Sequence, residues 1–145
     1  MNTDLIDIKI RAVEGGVTAA AGFKAAGIHA GFRKNPERLD YALVVPDKPC
    51  PGAGVFTINR FCAAPVQVSR ANLGGADKGY GIIAGVSVNS GNANAATGET
   101  GLACARETCS IASQVIGCEP QQILVASTGV IGQILPIDTF ETAIP

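Results

Sequence analysis

At 145 residues the chain is the size of one domain, and its 47% hydrophobic content excludes a disordered polymer. Eleven Lys and Arg against twelve Asp and Glu give a net charge of −1, which excludes the strongly basic footprint of a nucleic-acid binder. No apolar run approaches the roughly 20 residues of a membrane span, so neither a nucleic acid nor a membrane is expected as a partner. Residues 1–10 carry Asp4 and Asp7 and lack a long apolar run. That pattern argues against a secretory signal or transit peptide and for a soluble, cytoplasmic protein. The five cysteines form no CxxC pair, and His29 is the only histidine. Free, mostly buried thiols are expected, with no metal site. The basic cluster Arg33, Lys34 and Arg38 surrounds Asn35, Pro36 and Glu37 and reads as a solvated loop.

Eighteen Gly and eight Pro punctuate short apolar runs, which predicts many tight connections. Residues 41–45 (YALVV) form a short apolar strand closed by Pro46 and Asp47. Residues 54–58 (GVFTI) follow as a second strand. A third is expected at 65–69 (PVQVS), where Val66 and Val68 alternate with polar neighbours. Residues 81–88 (GIIAGVSV) make the longest strand candidate and run directly into Asn89. Between Gly98 and Gly117 the period changes. Leu102, Ala105, Cys109, Ala112 and Ile116 recur at steps of three and four, placing them on one helical face. Thr97 or Thr100 can cap that helix at its start and Gly117 at its end. Pro120 restarts the chain into a strand at 123–126 (ILVA), and Asp138 with Glu141 has the spacing of a capping box for a second helix. Strands followed by helix, strand and helix predict an α/β or α+β layered domain over residues 1–145.

Two segments carry candidate chemistry. Residues 89–98 (NSGNANAATG) place Asn89, Asn92 and Asn94 in a polar turn between strand and helix. Such a turn either satisfies its own backbone or forms a wall of an active site. Residues 127–132 (STGVIG) open directly from the apolar strand that ends at Ala126. Read alone, this is either a plain strand-to-loop turn or a set of backbone N–H groups and a hydroxyl, the donors an acyl-transfer site needs. Histidine-based triads fail on inventory, because His29 sits in GIHAG with no nucleophile signature. The string GYGIIA at 79–84 matches a loose dinucleotide pattern, but its glycines precede the strand and the required context is missing. Acyl transfer without a usable histidine needs another base. A threonine freed by backbone cleavage supplies its own α-amine, which titrates near ~7.7–8.0. No such processing site is evident in this chain.

The strings VNSGNANA at 88–95 and VASTGVIG at 125–132 resemble the ornithine acetyltransferase family, the bifunctional glutamate N-acetyltransferases. Residues 54–60 (GVFTINR) with 63–66 (AAPV), and 22–28 (GFKAAGI), match further family segments in the right order. The resemblance runs from about Gly16 to Pro136. It implies the N-terminal, α-chain portion of a precursor that cuts itself before a threonine, leaving α and β chains associated, commonly as a heterotetramer of αβ pairs. The implied fold is a layered α/β sandwich of the self-processing, N-terminal-threonine-nucleophile type, incomplete without the β chain. The implied reaction moves an acetyl group from N-acetylornithine to glutamate through an acetyl-threonine, in arginine biosynthesis, with acetyl-CoA an additional donor in some members and no cofactor.

Residue by residue, the family's oxyanion-hole pair falls on Thr128 and Gly129. The chain stops before the region of the Ala–Thr junction, so the resemblance implies that the nucleophile and the ornithine- and glutamate-binding residues lie outside it. Ala96 stands where relatives often have Cys. The chain is therefore expected to be a fragment or shortened product, inactive alone, with an exposed strand edge and apolar face. Two other functions fit the same residues: a related self-processing aminopeptidase or amidohydrolase that uses water as acceptor, and a truncated, non-catalytic binding homologue.

Overall fold

The computed structural model describes residues 12–75 and 77–144. The N-terminal stretch 1–10, read above for targeting signals, lies outside them, as does Pro145. In chain order the elements are β1 (Phe23–Ile28), β2 (Tyr41–Pro46), β3 (Cys50–Ala53), α1 (Ala64–Asn72), β4 (Tyr80–Ile83), β5 (Gly85–Asn92), α2 (Gly98–Ile116), β6 (Ile123–Val130) and α3 (Ile137–Ala143). Short 3-10 turns occupy Val17–Ala19 and Pro120–Gln122. The main sheet has the order β1-β2-β5-β6, antiparallel except for the parallel β5–β6 pair. A parallel pair cannot be closed by a hairpin, and α2 is the crossover that joins it. β3 and β4 form a separate two-stranded ribbon.

α2 matches its periodicity. Ala105, Cys109 and Ala112 are buried with Ile123 and Val125 of β6, while Leu102 and Ile116 pack at the margin of that cluster. Gly117 ends the helix in the left-handed conformation and donates its N–H to the Ser113 carbonyl. Thr97 is the N-cap residue but makes no side-chain cap bond. A second cluster joins Tyr41, Ile111, Leu135 and Phe140. The Phe140 ring lies 4.7 Å from that of Phe32 and meets Tyr41 edge-on at 5.5 Å.

Four expectations need correction. Residues 65–69 lie in helix α1, not in a strand. Pro65 sits in the first helical turn, where its missing N–H costs nothing. Ala64, Val68 and Ser69 are buried, so the helical face that reaches the core decides the conformation. Residues 54–58 form no strand; Val55 and Ile58 are almost fully exposed. The run at 81–88 is divided at Ala84, with β4 in the ribbon and β5 in the main sheet. Finally, α3 starts one residue before Asp138, with Pro136 as N-cap and no side-chain cap bond. Asp138 instead lies in the first turn, where a carboxylate complements the helix dipole.

The strand alternation gives the sheet two unlike faces. Tyr41, Leu43, Ile123 and Val125 point to the side carrying the helices. The intervening residues line the other side, in register across three strands. Val44 pairs with Val86 and Ala42 with Val88. Across β6, Val86 pairs with Leu124, Val88 with Ala126, and Ser90 with Thr128. This second face is apolar for most of its length, yet its residues are only half-buried or exposed. It ends in the two hydroxyl side chains of Ser90 and Thr128.

Candidate active site

The strand carrying Thr128 and Gly129 does not end at Ala126. β6 continues to Val130, and Thr128 and Gly129 pair with Ser90 and Gly91 of β5. Which of their backbone groups are free follows from alternation. Val125 donates its N–H to Ser69 Oγ at 2.9 Å, and its carbonyl accepts the Ser69 hydroxyl at 2.8 Å. The Ile123 carbonyl accepts from Asn72 Nδ2 at 2.7 Å. α1 thus covers the outer edge of β6 at residues 123 and 125. On the inner side, the Gln122 carbonyl accepts from Ala84 and the Val130 carbonyl from Ala93. Ser127 and Gly129 therefore aim their N–H groups outward, beyond the reach of α1. Thr128 turns its N–H toward β5 and offers only its hydroxyl on the open sheet face. Both residues are exposed.

The asparagines fill the space behind this strand end. Asn89, Asn92 and Asn94 are at most 5% exposed, and their amides are spent inside the protein. Asn89 Nδ2 donates to the Asn92 carbonyl, and Asn92 Nδ2 to the carbonyls of Gln133 and Ile134. Asn92 Oδ1 accepts the Asn94 N–H at 2.8 Å. Asn94 Nδ2 donates to the Gly101 carbonyl at 2.9 Å, while its Oδ1 accepts the Thr97 hydroxyl at 2.8 Å. Asn94 adopts φ 45°, a left-handed conformation that its short amide tolerates. The trio ties the end of β5 to the start of α2 and to the segment after β6. Asn94→Ala removes both side-chain bonds from a fully buried position and leaves their partners unsatisfied. Denaturant unfolding of the full-length protein is expected to show a loss of about 2–3 kcal/mol.

The loop between β1 and β2 closes the same end of the sheet. Arg33 donates to Ser90 Oγ from Nε at 3.1 Å and from Nη2 at 2.6 Å, so it is not the solvated residue expected of its cluster. Lys34 and Arg38 are exposed as expected. The buried Asp40 carboxylate accepts the N–H groups of Ala30 at 2.6 Å and Arg33 at 2.7 Å. Burial pushes its pKa up, but these amides and the nearby His29 outweigh that and hold it below the ordinary value. His29 Nδ1 lies 3.0 Å from the Arg38 carbonyl and 3.4 Å from Asp40 Oδ2, a structural position. Arg33, Asp40 and Ser90 were missed in the sequence. Arg33 and Ser90 stand 57 residues apart, and no local pattern links them.

All five cysteines are free, but only Cys109 is buried; the other four are half-buried, against the expectation of mostly buried thiols. Burial raises the Cys109 thiol to about 11, against a smaller opposing effect from Asn72, so it is protonated and inert at neutral pH. No group of three His, Cys, Asp or Glu able to hold a metal exists among the described residues. No helix there is long and apolar enough to cross a membrane. A hollow of about 370 Å³ between α1 and α2, lined in part by Asn72, Arg106 and Cys109, lies apart from Thr128 and Gly129.

Residues 24–145 match the model of the ArgJ family. The chain is 46% identical over 126 residues to the arginine biosynthesis bifunctional protein ArgJ of Dehalococcoides mccartyi, covering 86% of this chain and 30% of that protein. Its counterpart from Bifidobacterium longum is 50% identical over 123 residues, 84% of this chain and 30% of the relative. The chain thus spans about 30% of the length of the curated relatives it matches. Among solved structures, the Bacillus halodurans protein argJ superposes with a TM-score of 0.81 at 36% identity, covering 90% of this chain and 65% of that one. Ornithine acetyltransferase from Mycobacterium tuberculosis, crystallised with ornithine, gives 0.80 at 38% identity, covering 89% and 67%. The mixed sheet-and-helix architecture is that of these structures, and the chain belongs to the ArgJ family.

Proposed function

We propose that the chain is the N-terminal, α-chain portion of an ornithine acetyltransferase that moves an acetyl group from N-acetylornithine to glutamate in arginine biosynthesis. The observation that carries this reading is the pair of free donors at the end of β6, the Thr128 hydroxyl and the outward Gly129 N–H. Acyl transfer passes through a tetrahedral intermediate whose oxygen becomes negative, and hydrogen-bond donors available beside it stabilise that charge. The nucleophile is a threonine of the β chain, made N-terminal by self-cleavage. Its hydroxyl oxygen bonds to the acetyl carbon while its α-amine takes the proton. The C–N bond to ornithine then breaks, and the departing amine receives that proton. Glutamate's amine attacks the resulting acetyl ester, and the threonine hydroxyl is restored. In this reading acetyl-CoA serves as a second donor substrate, and no cofactor enters the scheme. The buried asparagine trio builds the wall of the site from behind, without touching substrate.

The open apolar sheet face supports a β-chain partner. Val44, Val86, Val88 and Leu124 stay only half-buried on that face; apart from it, in the loop before α1, Phe61, Ile58 and Val55 are 78% exposed or more. A surface of this kind needs a covering layer. An αβ pair, doubled into a heterotetramer and located in the cytoplasm, completes the reading. Full-length protein containing this segment, given N-acetylornithine and glutamate, is expected to form N-acetylglutamate and ornithine in equal amounts. The 145-residue chain alone is expected to form neither. A full-length protein that assembles yet makes no N-acetylglutamate overturns the assignment.

A further inference from the structure

The hollow between α1 and α2 has no part in the scheme above. It lies on the helix side of the sheet, where Val68 and Cys109 pack with Ile123 and Val125, and so opposite the apolar face assigned to the β chain. Its volume of about 370 Å³ falls at the small end of the range for small-molecule sites, ~300–1,000 Å³. One cation, Arg106, borders it, and no Asp or Glu does. The ion pairs among the described residues are Lys24–Asp47 and His29–Asp40, so Arg106 carries an unpaired charge there. Burial keeps the Cys109 thiol protonated, which leaves no anion in the wall. Asn72 supplies an acceptor. Its Nδ2 donates to the carbonyls of Ile123 at 2.7 Å and Pro120 at 3.4 Å, which fixes the amide's orientation and leaves Oδ1 without a partner among the described residues. No fully buried side-chain oxygen there lacks a partner, so this one stays open to solvent. Val68, Leu102 and Cys109 add apolar surface.

We infer that this hollow binds a small N-acylated amino acid with an apolar side chain, through Arg106, Asn72 and the apolar wall. Each feature selects one part of such a ligand. A single guanidinium beside apolar surface suits one carboxylate on an apolar body rather than inorganic phosphate, and the fork geometry of Arg favours a carboxylate. The open Asn72 oxygen calls for an N–H donor. A free amino acid would supply that donor as an ammonium, but the wall holds a cation and no acid to neutralise it. Acylation of the amine removes the charge and keeps one N–H. The inference goes beyond the acetyl-transfer reading and does not depend on it.

The test is titration calorimetry of the full-length protein with N-acetyl-L-valine as probe. Binding is expected with a Kd of about a millimolar or tighter, as befits a small ligand on a half-open site. L-Valine, which restores the ammonium, and N-acetyl-L-valinamide, which lacks the carboxylate, are each expected to bind about tenfold more weakly or worse. Arg106 is exposed, so Arg106→Met keeps the fold and most of the side-chain stem; it is expected to weaken the probe about tenfold or more, the worth of one hydrogen bond to a charged group. Gln121→Glu places an acid in the wall at another exposed position and weakens the probe as well. Thr128→Ala leaves the affinity unchanged. Absence of binding at ten millimolar probe, or an affinity indifferent to Arg106→Met, overturns the site. So does an affinity lost in Thr128→Ala and kept in Arg106→Met, which would place the probe beside Thr128. If an acidic side chain from the rest of the protein occupies the hollow instead, the probe does not bind and Arg106→Met lowers the stability of the full-length protein, and the inference fails.

Discussion

Gly129→Ala is expected to leave the full-length protein largely unfolded. The residue has φ 136° and pairs with Gly91 at φ 121°, so both strands depart from ordinary extended geometry at the same rung. A Cβ at 129 would stand 2.5 Å from the Asn92 nitrogen and closer still to the Gly91 carbonyl. Both are backbone atoms of the neighbouring strand, so no side chain can swing aside. Holding an L-residue at this φ costs about 1–3 kcal/mol, and forcing the strands apart about 1–3 kcal/mol more. Together these approach the whole stability of a marginal domain, about 5–15 kcal/mol. Gly132→Ala is the control, since φ is 82° there but no atom lies within 4 Å of the added methyl. It carries the backbone strain without the overlap. Soluble yield and denaturant midpoint measure the difference; equal midpoints for the two variants would show that the β5–β6 contact yields readily.

Thr128→Ala has the opposite signature, an intact fold with a large loss of rate. Thr128 is exposed, its N–H is turned into the β5–β6 ladder, and its side chain projects from the open face. Removing the hydroxyl therefore disturbs little of the core. In the proposed reaction, however, that hydroxyl meets an oxygen that acquires its charge only in the transition state. Losing one such donor lowers turnover on the order of 10²–10³-fold, about 2.7–4 kcal/mol. Because the contact strengthens after binding, kcat carries the loss and KM moves little. Self-cleavage also passes through a tetrahedral intermediate, so the enzyme is best assembled from two separately expressed chains. Assembled Thr128→Ala with kcat within a few-fold of the parent would return residues 127–129 to the role of a structural strand end.

What local sequence determined is the set of elements whose burial is satisfied by their own periodicity. The helix between Gly98 and Gly117 was legible because Ala105, Cys109 and Ala112 share one face and the terminal glycine can adopt the left-handed cap. The strands at 41–45 and 123–126 were legible from short apolar runs bounded by turn residues, and the family from ordered motifs, which the match over residues 24–145 bears out. Tertiary contact decided the rest. Val66 and Val68 alternate as in a strand, yet Ser69 satisfies both backbone groups of Val125 only from a helix laid along β6. The apolar run at 81–88 splits at Ala84, because its two halves find different partners: Cys50–Ala53 on one side, β2 and β6 on the other. β6 outlasts its apolar run since Gly91 opposite Gly129 lets the ladder continue to Val130. Arg33 came to the candidate site by the same kind of long-range choice. No local pattern marks a charged loop residue as the partner of a serine in a distant strand; that pairing exists only once β2 has brought the loop across the end of β5.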